Sequence, residues 1–142
     1  MEKIPSVVAD IMTSPVVTID GESTVRDAAL LMTEWRIGSI VITERGKPVG
    51  IVTKRDILER VVALCKDVCV TKMREVMSAP LITVTKKTGI LEAMRKMREV
   101  NVGRLLVMED GNLVGIVSER DLLRAVTIAS LTSFSTLLKR VG

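Results

Sequence analysis

The chain has 142 residues, of which 47% are hydrophobic and 27% charged, and its net charge is +4. This balance is typical of a folded chain with one or two small domains and excludes a disordered one. Trp35 and Phe134 are the only aromatic residues, so no surface for stacking nucleic-acid bases is expected. Because the positive charges are spread along the chain, nucleic acid is not an expected partner.

The sequence offers little catalytic chemistry. It contains no His and no Tyr, which removes the commonest general base and metal ligand. Cys65 and Cys69 are too few for a zinc site and are interpreted as ordinary apolar positions in a reducing compartment. The N-terminus shows no signal-peptide pattern, and no segment approaches the roughly 20 apolar residues of a membrane span. We therefore expect a cytoplasmic chain that is not an enzyme, with no metal, catalytic cofactor or membrane contact.

In chain order, the first predicted element is a short β-branched strand from Val16 to Ile19, which stops at the turn Asp20-Gly21. A helix follows from Thr24 to Arg36, because apolar residues recur there at helical spacing. Those residues are Val25, Ala28, Ala29, Met32 and Trp35. Residues 39–43 and 48–52 predict a hairpin joined through Glu44 to Lys47. A second helix is predicted from Thr53, with an apolar face made of Ile57, Leu58, Val61, Val62 and Cys65.

The second half of the chain repeats the first without a gap, at an offset of 65 residues, so that Met77 corresponds to Met12. The best match aligns Val49 to Asp56 with Val114 to Asp121. We predict one repeat over residues 1–65, a second over 66–127, and a C-terminal helical tail over 128–142. The apolar residues of that tail have no predicted partner within either copy: Leu131, Phe134, Leu137 and Leu138.

These paired motifs resemble the CBS domain family over nearly the whole chain, from about Val8 to Val126. The features that carry the resemblance are Asp10-Ile11-Met12 with Pro15, Glu75-Val76-Met77 with Pro80, Gly38 and Gly103, and a Gly-hydrophobic-x-Thr/Ser-x-x-Asp motif in each copy. The resemblance implies an α+β fold in which two βαββα repeats pack sheet to sheet about a pseudo-twofold axis. Such a pair is called a Bateman module.

The same resemblance implies a regulatory function. The expected ligand is an adenosine nucleotide, AMP, ADP or ATP, with NAD and S-adenosylmethionine as further candidates, and the module acts as a sensor of energy or metabolites. It also implies a homodimer that regulates a protein target not identified by the sequence. The alternative is a module with empty clefts that works only in oligomerisation or protein interaction.

Two clefts are implied, each drawing residues from both repeats. Asp121 and Asp56 are assigned to the ribose hydroxyls, with Ser118 and Thr53 binding ribose or phosphate. The adenine is expected to lie among Val17, Ile37 and Ile116 in the Asp121 cleft, and among Ile82, Val102 and Ile51 in the Asp56 cleft. The residues assigned to phosphate are Gly38, Gly103, Ser39 and Arg104.

Elementary chemistry agrees with these assignments. An ionised carboxylate only accepts hydrogen bonds, and a ribose offers two neighbouring hydroxyl donors. Arg104 offers a phosphate permanent charge where its counterpart Ser39 offers one hydroxyl, so the Asp121 cleft is predicted to bind phosphorylated adenosine about tenfold more tightly. An ion pair between Arg104 and Glu109 would remove that advantage.

Structural interpretations of the same residues remain open. Thr53-x-x-Asp56 and Ser118-x-x-Asp121 also match a capping box at the start of a helix. Gly38 and Gly103 follow a predicted helix and could be its C-terminal caps. Gly50 and Gly115 could give the hairpin room, and Met32, Met94 and Met97 are interpreted as core packing.

Overall fold

The computed structural model describes residues 4–141. The chain divides into two compact units. One unit consists of residues 16–81, and the other consists of the described residues of 1–15 and 82–142. We call them the first-repeat unit and the second-repeat unit. Each contains a three-stranded sheet and helices, which confirms the predicted α+β class with two repeats.

In the first-repeat unit, strand β1 spans Thr18–Asp20 and helix α1 spans Val25–Trp35. Strands β2, Ser39–Glu44, and β3, Lys47–Thr53, complete a sheet of order β1-β2-β3. Strand β1 pairs parallel with β2, and β2 pairs antiparallel with β3. Helix α2, Lys54–Ile57, follows β3, and the short helix α3 spans Met73–Val76.

The second-repeat unit has the same topology. Strand β4 spans Thr83–Val84, helix α4 Ile90–Val100, strand β5 Arg104–Glu109 and strand β6 Asn112–Ser118. The sheet order is β4-β5-β6, with one parallel and one antiparallel pair. Helix α5 then runs without a break from Glu119–Val141. The chain therefore continues as one helix across position 128, where the predicted tail begins.

Both predicted hairpins form with two-residue turns. Arg45 and Gly46 have φ values of 53° and 76°, and Asp110 and Gly111 have 50° and 79°. Two consecutive residues with positive φ make the type of turn whose twist matches that of the flanking strands. Glycine removes the steric cost at the second position of each turn.

The leading segment of each repeat packs on the sheet of the other repeat. Val8, Ile11 and Met12 contribute to the core of the second-repeat unit, and Thr13 makes a two-way backbone bridge with Ile116 of β6. In the same way, Met73, Val76 and Met77 contribute to the core of the first-repeat unit, and Ser78 bridges Ile51 of β3. Each sheet edge thus gains a partner from the other copy of the sequence.

The apolar face predicted for the second helix is wrong in part. After α2 the chain forms a π-helical turn, Leu58–Val62, in which Ala63 N donates to Leu58 O at 2.9 Å. The wider turn shifts the residues that follow it by one position around the helix axis. Val61 is therefore fully buried and Ile57 half-buried, whereas Leu58, Val62 and Cys65 are exposed.

Burial tests three further expectations, which concern the apolar stripe of α1, the two cysteines and the methionines. Ala29 and Trp35 were predicted on the apolar stripe of α1, but both are exposed, Trp35 by 59%, and the buried residues of the helix are Val25, Ala28 and Met32. Cys65 and Cys69 were interpreted as apolar positions, and both are exposed. Met32 and Met97 are buried in the two cores and Met94 packs against one of them, which confirms the core interpretation.

Helix α5 carries an exposed apolar face beyond the core. Its first turns are anchored by Leu122 and Ala125, which are buried. By length and composition alone, Glu119–Lys139 could cross a membrane, so the prediction that no segment meets those criteria is wrong for this helix. The exposed large residues of its later turns are Ile128, Leu131, Phe134, Leu137 and Leu138.

Candidate functional site

Each hairpin brings its predicted polar residues together at one end of the sheet. Ser39 lies opposite Thr53 in the β2–β3 register, and the Gly38 carbonyl accepts from Lys54 N at 3.0 Å. We call Gly38, Ser39, Ile51, Thr53 and Asp56 the Asp56 site.

The second-repeat unit has the equivalent arrangement. Arg104 lies opposite Ser118 in the β5–β6 register, and the Gly103 carbonyl accepts from Glu119 N at 2.9 Å. We call Gly103, Arg104, Ile116, Ser118 and Asp121 the Asp121 site. Each unit therefore places five of the predicted site residues on one hairpin and the helix that follows it.

The capping-box interpretation is confirmed in both units. Asp56 Oδ2 accepts from Thr53 N at 2.9 Å, and Thr53 Oγ1 accepts from Asp56 N at 3.2 Å. Ser118 and Asp121 exchange the same two bonds at 2.9 and 3.1 Å. Each hydroxyl is used here as an acceptor, so its hydrogen stays available to donate. Each carboxylate also keeps a second oxygen outside the box.

Gly38 and Gly103 are not the helix caps. The residues with left-handed conformation after α1 and α4 are Arg36, with φ 53°, and Asn101, with φ 52°. The C-cap interpretation of the two glycines is therefore wrong, since each cap lies two residues earlier. A Cβ atom added to Gly103 would meet no described atom within 4 Å. The backbone at Gly103 therefore has open space beside it.

Gly50 and Gly115 have a specific packing role. A Cβ atom on Gly115 would lie 2.5 Å from Sδ and 3.0 Å from Cγ of Met12, and one on Gly50 would lie 2.5 Å from Sδ and 2.8 Å from Cγ of Met77. The methionines of the two leading segments thus lie directly on these glycines. The interpretation that the glycines give room is confirmed, and the group that fills the room is a methionine side chain.

The apolar residues assigned to adenine are all half-buried. Ile51 and Ile116 alternate with the buried Val52 and Val117, so they lie on the opposite face of their sheets from the core. Val17 and Ile37 belong to the first-repeat unit, and Ile82 and Val102 to the second-repeat unit. Their grouping into two clefts that draw on both repeats stays a prediction.

The two sites differ in their charged groups. Glu109 pairs with Lys86 at 3.1 Å, and within the described residues of its unit Arg104 forms no ion pair. The competing Arg104–Glu109 pair is therefore absent from this part of the chain. In the Asp56 site, Arg60 Nη2 lies 3.7 Å from Asp56 Oδ1. The corresponding position in the second repeat is Ala125, and no cation pairs with Asp121 within the described part of its unit.

Sequence reasoning missed Arg60 altogether. The direction of its side chain depends on the π-helical turn, and the residue pattern does not predict that turn. The structure also contains, over residues 4–141, no group of three or more His, Cys, Asp or Glu residues that could hold a metal ion. The polar groups of both sites are hydrogen-bond donors and acceptors suited to binding a hydroxylated, anionic ligand.

Comparison with known proteins agrees with this geometry. The sequence model of the CBS domain family matches residues 8–63 and 73–128, which is most of the chain. The protein therefore belongs to the CBS domain family and carries a tandem CBS pair.

Two relatives and one solved structure illustrate the similarity. The chain is 36% identical over 117 residues to the CBS domain-containing protein YhcV of Bacillus subtilis, covering 82% of this chain and 83% of that protein. It is 35% identical over 119 residues to an uncharacterized protein of Methanopyrus kandleri, covering 82% of this chain but only 61% of that protein. The CBS domain pair of protein MJ0100, solved with 5′-methylthioadenosine and S-adenosyl-L-methionine, superposes with a TM-score of 0.76 at 28% identity, over 85% of this chain and 95% of that one.

Proposed function

We propose that the chain is a regulatory CBS pair that binds an adenosine nucleotide and catalyses no reaction. The observation that carries the proposal is the Asp121 site. Within the described part of its unit, one carboxylate oxygen and one hydroxyl hydrogen of this site make no hydrogen bond, and the backbone of Gly103 has open space beside it. A carboxylate can accept from both hydroxyls of a ribose, and charge-assisted bonds of this kind are among the stronger ones. The site residues have no nucleophile paired with a base, so binding is the chemistry that they support.

A phosphorylated ligand, AMP or ATP, is the one that the Asp121 site favours. Arg104 lies opposite Ser118 and has no carboxylate partner within its described unit, so its guanidinium is available to a phosphate. The adenosine class is supported by the MJ0100 pair, whose two ligands both contain adenosine. Through this ligand the module would report energy or metabolite levels to a protein target.

Equilibrium dialysis with labelled AMP, ADP, ATP, NAD and S-adenosylmethionine tests the proposal, with GMP as the control. We expect AMP or ATP to bind and GMP not to bind. If none of the five adenosine compounds binds, the proposed function is wrong.

Two glycine variants sharpen this test. The Cβ atom in Gly103→Ala would occupy the open space beside the Asp121 site without meeting another atom. We expect this variant to bind AMP more weakly than the wild type. The matched control is Gly89→Ala, whose Cβ atom also meets nothing within 4 Å but lies at the start of α4; it should bind AMP as the wild type does.

A second proposed function, oligomerisation, is supported by helix α5. Its later turns expose Leu131, Phe134 and Leu138, each by 58% or more. A groove of about 830 Å³ lies along the same helix and is lined by residues that include Ile90, Ala125 and Phe134. Exposed apolar surface of this kind marks interaction sites. We propose that α5 mediates a homodimer, which is compatible with ligand binding by the two sites.

A further inference from the structure

We propose that Arg60 tunes the Asp56 site by competing with the ribose of the ligand for the carboxylate of Asp56. The inference rests on the proposed function, because it concerns how one of the two ribose sites is regulated. It assigns a role in ligand selection to a residue outside the predicted set.

The geometry places a guanidinium against the oxygen that a ribose needs. Asp56 Oδ2 is already bonded to Thr53 N at 2.9 Å. Arg60 Nη2 lies 3.7 Å from Asp56 Oδ1, and Arg60 Nη1 donates to Val76 O at 2.8 Å. The bond to a backbone carbonyl holds the guanidinium in place beside Asp56. The carboxylate of Asp56, only 13% exposed, therefore has a protein partner near each oxygen.

The π-helical turn is the reason that Arg60 occupies this position. In the second repeat, where α5 is regular, the corresponding residue Ala125 is 2% exposed and belongs to the core. In the first repeat the extra residue of the turn moves Val61 into the core instead. Arg60 is thereby rotated outward, to where it reaches both Asp56 and Val76. Turns of this type are frequent at functional sites.

The consequence is a difference between the two sites in how they receive a ribose. At the Asp121 site the hydroxyls find a carboxylate that forms no ion pair within the described part of its unit. At the Asp56 site the ribose hydroxyls must share the carboxylate with Arg60 or displace Arg60 from it. The positive charge of Arg60 also weakens the carboxylate as an acceptor. The Asp121 site therefore fills first, and the Asp56 site binds a neutral nucleoside more weakly than its own hydrogen-bonding groups would allow.

Calorimetry with adenosine, which carries no phosphate, tests this inference in an Asp121→Ala background that leaves only the Asp56 site. Arg60→Gln removes the charge but keeps an amide donor for Val76 O. Arg60 is 44% exposed and its Nη2 lies 3.7 Å from Asp56 Oδ1, so the pair is a weak one and we expect adenosine to bind about threefold more tightly. The control is Arg55→Gln on the same helix, because Arg55 pairs with Glu59 at 3.4 Å rather than with Asp56; its adenosine affinity should be unchanged.

Ionic strength provides a second measurement that needs no Arg60 variant. Arg60 is 44% exposed, so salt should screen its attraction to Asp56. Raising the salt to about 1 M, where the Debye length is about 3 Å, should strengthen adenosine binding by the Asp121→Ala protein. The protein that also carries Arg60→Gln should lack this increase.

The outcomes separate this inference from the proposed function. If the wild-type protein binds neither AMP nor adenosine, both the proposed function and the role of Arg60 are wrong. If the wild type binds AMP, but Arg60→Gln leaves adenosine affinity at the Asp56 site unchanged or lowers it, only the competition is overturned. A lower affinity would instead make Arg60 a residue that positions Asp56 for the ribose.

Discussion

At the residue scale, the polar residues at the start of α2 and α5 cap their helices and still keep hydrogen-bonding groups that a ligand can use. Ser118 Oγ accepts the Asp121 N–H, and Asp121 Oδ2 accepts the Ser118 N–H. These two bonds satisfy backbone groups that have no partner within the helix. They also fix both side chains in one orientation before any ligand arrives, which lowers the entropy cost of binding.

The pairing of methionine with glycine gives a prediction about stability. Gly115→Ala places a Cβ atom 2.5 Å from Sδ of Met12, so the methionine must leave its place on β6. Overpacking of this kind typically costs about 1–3 kcal/mol. We expect the free energy of unfolding, measured by urea denaturation, to fall by that amount.

The matched control for this prediction is Gly103→Ala, whose Cβ atom has open space. The same substitution should change the free energy of unfolding little at this position. Equal destabilisation by the two variants would show that the contact with Met12 is not the cause.

Residue-level sequence reasoning succeeded where bonding is local. In the capping boxes of Thr53 and Ser118 the partner is three residues away, so both residues of each box can be recognised in the sequence. Cys65 was placed incorrectly because it lies beyond the end of the helical segment, with a φ of 54°. Arg60 was overlooked because its orientation depends on the turn at Leu58–Val62. The sequence left open whether Gly38 and Gly103 are helix caps, and the structure excludes that role because Arg36 and Asn101 adopt the left-handed conformation despite having side chains.

At the scale of elements, the strands, hairpins and first helices follow from periodicity and turn residues. The π-helical turn does not follow from the local sequence. Val61, which lies in that turn, packs in a core that includes Met73 and Val76. Those residues come from the leading segment of the other repeat. Alignment of the copies shows that the segments are equivalent, but it cannot show on which sheet each one packs.

The segment that joins the repeats is held to the start of α1 by charge as well as by backbone bonds. Glu22 pairs with Lys72 and, at 2.9 Å, with Arg74. The hydrogen bond from Lys72 has the largest effect and lowers the pKa of Glu22 below its ordinary value of 4.5. Desolvation opposes it, and the charges of Arg74 and Lys72 lower the pKa further. The folded state therefore binds this proton more weakly than the unfolded chain does.

This lowered pKa predicts a dependence of stability on pH with a definite sign. The stabilisation by Glu22 is complete above pH 4.5, the ordinary pKa of the group, and is lost as pH falls through the lower pKa of the folded state. Glu22→Gln should therefore lower the melting temperature at neutral pH, and the difference from the wild type should shrink on acidification. High salt should reduce it as well.

The control for the pH experiment is Glu34→Gln, because Glu34 forms no ion pair within the described part of the chain. At neutral pH its melting temperature should differ from that of the wild type by less than that of Glu22→Gln does. A difference in melting temperature between Glu22→Gln and wild type that grows on acidification would show that the pKa of Glu22 is not lowered by folding.

At the scale of the whole molecule, the C-terminal half of α5 predicts self-association. Leu131→Glu with Leu138→Glu replaces two residues that are 62% and 58% exposed, so the fold of the monomer should be unaffected. We expect light scattering to show a dimer for the wild type and a monomer for the double variant. Thr132→Glu with Thr136→Glu, whose hydroxyls bond within the helix, is the charge-matched control and should remain dimeric.

A wild-type chain that is monomeric at micromolar concentration would contradict the proposed dimer. A dimer that survives the Leu131→Glu and Leu138→Glu changes would place the interface elsewhere. In both cases the ligand sites are unaffected, because none of their residues lies in the exposed turns of α5.

Binding of adenosine nucleotide by the Asp121 site is tested most directly by calorimetric titration of AMP. The measurement compares Asp121→Ala with Asp27→Ala, because Asp27 makes the same capping box with Thr24, at 3.0 and 3.1 Å, at the start of α1. Both variants lose a capping box, so a structural effect should be shared. We predict that wild type and Asp27→Ala bind AMP with the same affinity and that Asp121→Ala loses the tighter binding phase. Equal AMP affinity for Asp121→Ala and Asp27→Ala would contradict the assignment of Asp121 to the ligand.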